Sequence, residues 1–476
     1  MSKRYTPDWE SLCEARVPAW FDEERLGIFL HWGLYSIPAF ANEWYSRNMY
    51  VQGSPEFEHH VKTYGPHREF GYKDFIPMFT AEKFDASEWT ELIKAAGAGY
   101  VCPVAEHHDG FQMYKSALSR WNAADMGPHR DLLGEWRNAA IDSGLHFCTS
   151  SHRAEHWFFM NPGKEFDSDI KDPMQRGDFY WPSQPISSLE DICGQPYPDD
   201  EYLNDWLERT KELVKNYQPE LLYFDWWVQH EAFRPYIKEL AAYYYNLGQD
   251  WGRDVMICYK HDAFAFGSGI VEVERGSFAE AKPYRWQTDT AIADNSWCWT
   301  DSLEYKTSTQ IIETLCDVVS KNGNLLLNIG PKADGSIPDK DRRILQDLGR
   351  WMEMNGEAIR GAKVWRKCME GNINVTEGQF AESNKPSYTS SDYRFTTSHG
   401  NIYAICMKCP DDGRFTVRSL AKSKDINLPD FSGIIQNVEV LGYQGKTSWH
   451  TDGEGLHVTA AGLHSDFPVV LRVRLL

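Results

Sequence analysis

The sequence predicts an α/β fold: a (β/α)8-like barrel of the TIM type, or an irregular form of it, followed by a C-terminal antiparallel β-sandwich. The 476 residues are too many for one ordinary domain and suit a barrel of about 250 residues or more with a smaller partner. Up to about residue 360, short apolar runs alternate with amphipathic helical patterns, as in βα units. After that point the helical spacing stops, and short β-rich runs separated by turn residues follow.

Seven apolar runs in the first part are predicted to be barrel strands, so a closed eight-stranded barrel needs one more strand or is irregular. The strands are predicted at Leu26–Leu30, Gly99–Ala105, Leu145–Ser150, Leu221–Phe224, Val255–Tyr259, Ile270–Val273 and Asn324–Ile329. Helices between and after them are predicted at Ala86–Ala96, Asp131–Ser143, Glu201–Tyr217, Ala232–Leu247, Ser308–Ser320 and Asp339–Ile359.

The change from alternating strand and helix patterns to short β-rich runs predicts a barrel domain over residues 1–361 and a β-sandwich domain over residues 362–476. Turn residues separate the β-rich runs of the second part, as in an antiparallel sandwich. Its strands are predicted at Arg394–Thr397, Ile402–Lys408, Arg414–Val417, Val438–Leu441 and Val469–Leu476.

Composition argues against several classes of partner. The net charge is −20, and a chain this acidic is repelled by nucleic acid and by anionic membrane surfaces. No apolar run reaches 18 residues, and no apolar h-region follows the N-terminus. We therefore expect a cytoplasmic protein, or a secreted one if a leader has been removed. The sequence is also compatible with a homo-oligomer.

The ten cysteines form no small-domain disulfide framework and are expected to be reduced thiols. Cys406 and Cys409 form a lone Cys-x-x-Cys. A second pair at zinc spacing is missing from the sequence, so two thiols on a strand is the preferred interpretation over a metal site.

Polar and reactive side chains follow six of the predicted strands. In a (β/α)8 barrel the carboxyl ends of the strands form one rim, where the active site sits. Six such junctions on one rim predict a single pocket far more strongly than any one of them does. The junctions are His31-Trp32-Gly33, Glu106-His107-His108-Asp109, Thr149 to Trp157, Asp225-Trp226-Trp227, Lys260-His261-Asp262 and Glu274-Arg275-Gly276.

The pocket suits glycoside hydrolysis, which needs one carboxylate as nucleophile or base and a second, protonated one as acid. Asp225 ends an apolar strand before two Trp residues and is the preferred nucleophile; the alternative is an Asp that caps the next helix. Glu272 and Glu274 lie two apart on one strand and face the same side. Glu274, at the strand end, is preferred as the acid, with Glu272 as the second choice.

His107 and His108 with Asp109 could instead hold a metal ion, as in a metal-dependent hydrolase. Adjacent residues of an extended segment face opposite ways, so both imidazoles could reach one ion only through a bend. Hydrogen bonds from the two imidazoles to sugar hydroxyls are therefore preferred. His31 and Glu43 are similar candidates.

Several motifs together resemble glycoside hydrolase family 29, the α-L-fucosidases. They occur in the family's order over roughly residues 20 to 360, and the sandwich-like tail also matches the family's architecture. The motifs are Gly27-Ile-Phe-Leu-His-Trp-Gly33, Asn42-Glu-Trp-Tyr45 through Met49-Tyr50, Glu106-His-His-Asp-Gly-Phe111, Arg130-Asp-Leu132 and Asn322-Gly-Asn-Leu-Leu-Leu-Asn-Ile-Gly-Pro331.

The resemblance implies a retaining exo-α-L-fucosidase that acts on a fucosylated oligosaccharide or glycoconjugate and uses no metal or organic cofactor. It places the nucleophile at Asp225. It implies fucose-binding groups at His31, Glu43, Trp44, His107 and His108, and it suggests that Trp226 and Trp297 help to line the site.

Two segments depart from the family's pattern. Many members carry Asn-Asp-Arg on the strand after the nucleophile, where this chain has Tyr259-Lys260-His261, so Lys260 is a candidate for the role of the Arg. The segment from Thr149 to Trp157 also differs, which leaves Ser151, His152 and His156 as unassigned candidates. Besides the metal-dependent hydrolase, a non-catalytic fucose-binding protein stays open as an alternative.

Overall fold

The computed structural model describes residues 4–476 except 192, 193, 195, 196, 374, 375, 384–386, 423–426 and 428–430. Its first part is a closed barrel of eight parallel strands, which confirms the predicted barrel. The strands are β1 Leu26–Leu30, β2 Tyr100–Glu106, β3 in two pieces at His146–Phe147 and Thr149–Ser151, β4 Leu221–Phe224, β5 Met256–Lys260, β6 Ile270–Glu272, β7 Trp286–Ala291 and β8 Gly323–Ile329.

The barrel closes where β1 pairs in parallel with both β8 and β2. Gly27 of β1 permits this closure, because a Cβ atom at this position would lie 2.2 Å from the ring of Tyr100 on β2. The Tyr100 hydroxyl crosses the barrel interior and donates a hydrogen bond of 2.8 Å to Gln287 Oε1 on β7. Close packing between β1 and β2, and a buried hydrogen bond between β2 and β7, thus stabilise the closed barrel.

Strand β7 is the eighth strand that the sequence patterns did not reveal. Its sequence, Trp-Gln-Thr-Asp-Thr-Ala, is buried throughout although four of its six residues are polar. The interior-facing side chains find partners inside the barrel: Gln287 accepts from Tyr100, and Asp289 accepts from the Tyr223 hydroxyl at 2.8 Å. A search for apolar runs misses a strand whose buried face is hydrogen-bonded.

The bounds of the predicted helices agree with the structure to within a few residues, and the largest differences are at the C-terminal ends of two helices. The helix predicted at Ala232–Leu247 runs from Arg234 to Trp251, and the one predicted to reach Ile359 ends at Asn355. The connections from β5 to β6 and from β6 to β7 contain no α-helix, so the barrel is irregular on this side. The long helices are Pro55–Tyr64, Ala86–Ala95, Leu132–Ser143, Asp200–Tyr217, Arg234–Trp251, Ser308–Ser320 and Asp339–Asn355, and the short ones are Trp9–Leu12, Ala19–Glu23, Tyr45–Asn48 and His156–Phe159.

The second part consists of two antiparallel sheets that share one apolar core, as predicted for a β-sandwich. Three of its strands, β9, β14 and β15, were not expected from the sequence. One sheet has the order β9-β10-β11-β16-β13 and the other β12-β15-β14. The strands are β9 Lys363–Glu370, β10 Tyr393–Ser398, β11 Asn401–Cys406, β12 Arg414–Val417, β13 Ile435–Val440, β14 Thr447–Thr451, β15 Leu456–Ala460 and β16 Val469–Leu475.

The last barrel helix ends at Asn355 and β9 begins at Lys363; the domain boundary at residue 361 stays a prediction. None of the described helices is both long enough and apolar enough to cross a bilayer. The nine cysteines that the structure describes are free thiols. Cys406 ends β11, with its Sγ 3.1 Å from the carbonyl oxygen of Lys408, whereas Cys409 lies beyond the strand.

Candidate active site

A cavity of about 370 Å³ opens at the carboxyl ends of the barrel strands, where the junctions were predicted to meet. It brings together all the predicted site residues except Glu272. The predicted residues that line it are His31, Glu43, Trp44, His107, His108, His152, Asp225, Trp226, Lys260, Glu274 and Trp297.

Asp225 follows β4 directly, and its carboxylate is bound on both oxygens. Lys260 Nζ donates to Oδ1 at 2.6 Å, and His152 Nδ1 lies 2.8 Å from Oδ2. His108 Nε2 lies 3.4 Å from the same Oδ2. Burial alone would raise the pKa of Asp225, but these partners outweigh it and hold the pKa well below its usual range. Asp225 is therefore an ionised, oriented carboxylate.

The backbone around Asp225 is strained on its C-terminal side. Trp227 has φ = 70°, in the left-handed region that a bulky residue rarely adopts. The ring of Trp227 is buried between Trp157 and Phe158, which holds it there. Backbone strain of this kind costs about 1–3 kcal/mol and is concentrated at functional sites.

Lys260 lies between Asp225 and Glu274. Its Nζ donates to Glu274 Oε2 as well as to Asp225 Oδ1, and its side chain is 1% exposed. Trp226 Nε1 also donates to Glu274 Oε2. Burial raises the pKa of Glu274 to about 7, with Lys260 opposing that rise and Asp289 and Asp225 adding to it. The two carboxyl groups thus share one cation and have pKa values pushed far apart.

Glu272, the second choice for the acid, is the last residue of β6 and lies inside the barrel below the cavity. It is fully buried, and its Oε1 accepts from the backbone N–H of Asp289 at 2.8 Å. Burial raises the pKa of Glu272 well above its usual range. The strand ends before Glu274, so the two glutamates occupy different depths.

His31 and His107 lie on the wall of the cavity, and burial lowers the pKa of each well below its usual value. His31 Nδ1 lies 2.7 Å from Asn328 Oδ1, which orients its ring. His107 Nδ1 has no hydrogen-bond partner among the described residues. Both imidazoles are therefore neutral and present nitrogens to a polar ligand.

Glu43, Trp44 and Trp297 form a further part of the cavity wall. Glu43 Oε2 accepts from the backbone N–H of Trp297 at 3.0 Å, which fastens the loop after β1 to the loop after β7. The ring of Trp297 packs at 5.2 Å from His31 and lies under the guanidinium of Arg275 at 4.5 Å. Charged and aromatic groups thus fix the shape of this wall.

Another buried acidic side chain, Glu155, lies behind His108. Its Oε2 is 3.7 Å from His108 Nδ1 and has no hydrogen-bond partner within the described part of the chain. Burial raises the pKa of Glu155 to about 7. Burial alone would lower the pKa of His108, but Glu155 and Asp225 outweigh it and raise that pKa to about 9. His108 is therefore an imidazolium between the carboxyl groups of Asp225 and Glu155.

The structure does not assemble the metal set His107, His108 and Asp109. Asp109 Oδ2 accepts from the Tyr72 hydroxyl at 2.7 Å and Oδ1 from the backbone N–H of Phe111 at 3.0 Å. The groups in the cavity that are close enough to share an ion are His31–His107–His152 and His108–His152–Asp225. Asp109 instead supports the turn that carries the two histidines.

Of the unassigned candidates, only His152 reaches the cavity. His156 Nδ1 lies 2.8 Å from the backbone carbonyl of His108 and supports it from behind. Ser151 is buried within β3. Tyr223 was missed, although it lies two residues before Asp225 and so shares its face of the strand. The lining residues that were not predicted are Asn42, Asn48, Glu155, Tyr223, Asp289 and Phe380.

Comparison with known proteins gives the family. A family model described as alpha-L-fucosidase matches residues 1–357. Human tissue alpha-L-fucosidase is 30% identical over 464 residues, which cover 96% of this chain and 88% of that protein. Rat plasma alpha-L-fucosidase is 32% identical over 429 residues, which cover 86% of this chain and 82% of that protein.

A crystal structure of Thermotoga maritima alpha-fucosidase in complex with fucose matches with a TM-score of 0.78 at 30% identity, covering 99% of this chain and 100% of that chain. The chain belongs to the α-L-fucosidase family, glycoside hydrolase family 29.

Proposed function

We propose that this glycoside hydrolase removes terminal α-L-fucose with retention of configuration, through a covalent glycosyl-enzyme intermediate. Asp225 is the nucleophile and Glu274 is the general acid and base. The observation that carries the proposal is the single ammonium group of Lys260, which is hydrogen-bonded to both carboxylates.

The shared ammonium group limits the distance between the two carboxylates. One hydrogen bond spans about 3 Å, so the accepting oxygens of Asp225 and Glu274 lie within about 6 Å of each other. Retaining glycosidases hold their carboxyl groups about 5–5.5 Å apart, whereas inverting ones need about 6.5–9.5 Å to admit a water molecule. The geometry supports direct attack by Asp225.

The two ionisation states fit the two roles. The low pKa of Asp225 keeps it anionic, as a nucleophile requires. The pKa of Glu274, about 7, leaves a substantial protonated fraction near neutral pH, as a general acid requires. As Asp225 bonds to the anomeric carbon, the bond to the aglycone breaks and the leaving oxygen takes the proton of Glu274. The Glu274 carboxylate then deprotonates the water that displaces Asp225 from the anomeric carbon.

The cavity supports recognition of one terminal sugar, because its volume is near the lower end of ligand sites. His31, His107 and Glu43 offer neutral nitrogens and carboxylate oxygens to the sugar hydroxyls. Trp44 and Trp297 supply apolar surface for the C–H groups and the C6 methyl group. His108 was expected to bind fucose, and His152 was an unassigned candidate. The contacts of both with Asp225 support a further role, which is to orient the nucleophile.

Azide rescue tests the proposal. Asp225→Gly removes the nucleophile and leaves space in which azide can attack the anomeric carbon of p-nitrophenyl α-L-fucoside. We expect almost no turnover without azide, and formation of a fucosyl azide of inverted configuration with it. Wild-type-like activity of the variant without azide would show that Asp225 is not the nucleophile.

Glu274→Ala provides the matched control. In this variant Asp225 can still form the intermediate from an activated aryl fucoside, and azide then replaces water in the second step. The fucosyl azide should therefore have retained configuration. The same product configuration from both variants would contradict the assignment of the two roles.

A further inference from the structure

A segment from beyond the barrel, residues 376–383, lies against the loop that carries Glu274. Gly378 and Ser277 form an antiparallel bridge. The backbone N–H of Phe380 donates to the carbonyl of Glu274 at 2.8 Å, and the backbone N–H of Glu274 donates to Gln379 Oε1. The backbone of the proposed acid is therefore held on both sides by residues about a hundred positions later in the chain.

Charged side chains fasten the same segment. Glu382 Oε1 accepts from Arg275 Nη1 at 2.7 Å, and Lys306 Nζ lies 3.0 Å from both Glu382 oxygens. The backbone N–H of Glu382 also donates to the carbonyl of Arg275 at 2.9 Å. Because these contacts flank residue 380, they fix the position of Phe380 relative to Glu274.

Phe380 presents an aromatic surface at the mouth of the cavity. Its side chain is 49% exposed, and its ring stacks on Trp226 with centroids 5.8 Å apart and planes at 10°. Its φ of 57° lies in the left-handed region, which costs a residue with a Cβ free energy. Backbone strain at a residue that lines the cavity points to a functional role for its exposed ring.

We propose that Phe380, with Trp226, forms the subsite for the aglycone, and that it takes a pyranose ring whose apolar C–H face lies on the Phe380 ring. This subsite presupposes the proposed fucosidase activity. Trp226 donates through Nε1 to Glu274, the group that protonates the leaving oxygen. The sugar attached to that oxygen therefore lies next to the rings of Trp226 and Phe380 when the bond to fucose breaks.

The segment also gives the C-terminal part of the chain a direct part in catalysis. Phe380 binds the leaving sugar, while Gln379 and Glu382 position the loop of Glu274. Sugar recognition on this side therefore depends on residues outside the eight strands of the barrel.

A comparison of two substrates tests the subsite. One is the fucosyl disaccharide that the enzyme cleaves fastest from a panel of linkages, and the other is α-L-fucosyl fluoride, whose leaving group contains no ring. We expect Phe380→Ala to lower the ratio of kcat/KM for the disaccharide to kcat/KM for the fluoride about tenfold, or about 1.4 kcal/mol. Phe380→Tyr, which keeps the aromatic face, should restore the ratio to within about twofold of the wild type.

Phe266→Ala is the matched control, because Phe266 is also an exposed phenylalanine, at 65%, but does not line the cavity. Its ratio should equal that of the wild type. A ratio in Phe380→Ala within about twofold of the wild type overturns the subsite, and so does an equal loss on both substrates. Failure of the wild-type enzyme to release fucose from either substrate would instead refute the proposed function.

Discussion

Replacing Lys260 with methionine removes the cation between the two proposed catalytic carboxylates. Lys260 Nζ lies 2.6 Å from Asp225 Oδ1 and is also hydrogen-bonded to Glu274. The positive charge lowers the pKa of both carboxyl groups, so its loss raises both. An opposite charge at this distance shifts a carboxyl pKa by about 1–3 units.

The pH dependence of kcat/KM measures the change directly. Glu274 must be protonated to act as the acid, so wild-type activity should fall as the pH rises through about 7. In Lys260→Met this alkaline limb should move to about pH 8–10. The acidic limb should move up as well, because Asp225 then binds a proton more readily.

Lys260→Arg is the matched control, since it keeps the positive charge and restores the residue type that many family members carry nearby. Its alkaline limb should stay within about half a pH unit of the wild type. An alkaline limb in Lys260→Met at the wild-type position would refute the reasoning, because it would show that Lys260 does not set the ionisation of Glu274.

Two further pairs of variants test the site and the barrel. Glu274→Gln should lower kcat/KM about 10²–10⁴-fold for substrates with a poor leaving group. Glu272→Gln should lower it less than about fivefold, because burial raises the pKa of Glu272 and so favours the neutral form that Gln imitates. Equal losses of kcat/KM in the two variants would contradict the assignment of the acid to Glu274 rather than Glu272. Gly27→Ala should reduce the free energy of unfolding by about 1–3 kcal/mol, because its Cβ would overlap the Tyr100 ring. Gly453→Ala meets no atom within 4 Å and should leave urea denaturation unchanged, so equal curves for both would contradict the packing argument.

The barrel was predictable wherever its strands are apolar. Strands β1 and β4 have the predicted bounds, since each is a short apolar run followed at once by a polar junction. Strand β7 was not predictable in this way, because its residues Gln287 and Asp289 face the barrel interior and are hydrogen-bonded there. The sandwich strand β14 was missed for a related reason, since it is half-exposed and rich in polar residues.

The site was predictable from strand ends and motifs, and less so from contacts between distant segments. Two arguments predicted that Asp225, His31 and Lys260 share one cavity: active sites of such barrels lie at the carboxyl ends of the strands, and the motifs resemble the family. No local pattern connects Phe380 to that cavity, because the contact depends on how the C-terminal part folds back over the barrel. Glu155 was hidden for another reason: its importance comes from the pKa of His108, which requires distances to be known.

The anomeric configuration of the first-formed fucose tests the retaining mechanism most directly. Proton NMR of p-nitrophenyl α-L-fucoside hydrolysis, recorded at enzyme concentrations that outpace mutarotation, distinguishes the two anomers as they appear. Attack by Asp225 followed by attack of water predicts that α-L-fucose forms first and that the β anomer grows in later. Initial formation of β-L-fucose would contradict the mechanism and the assigned role of Asp225.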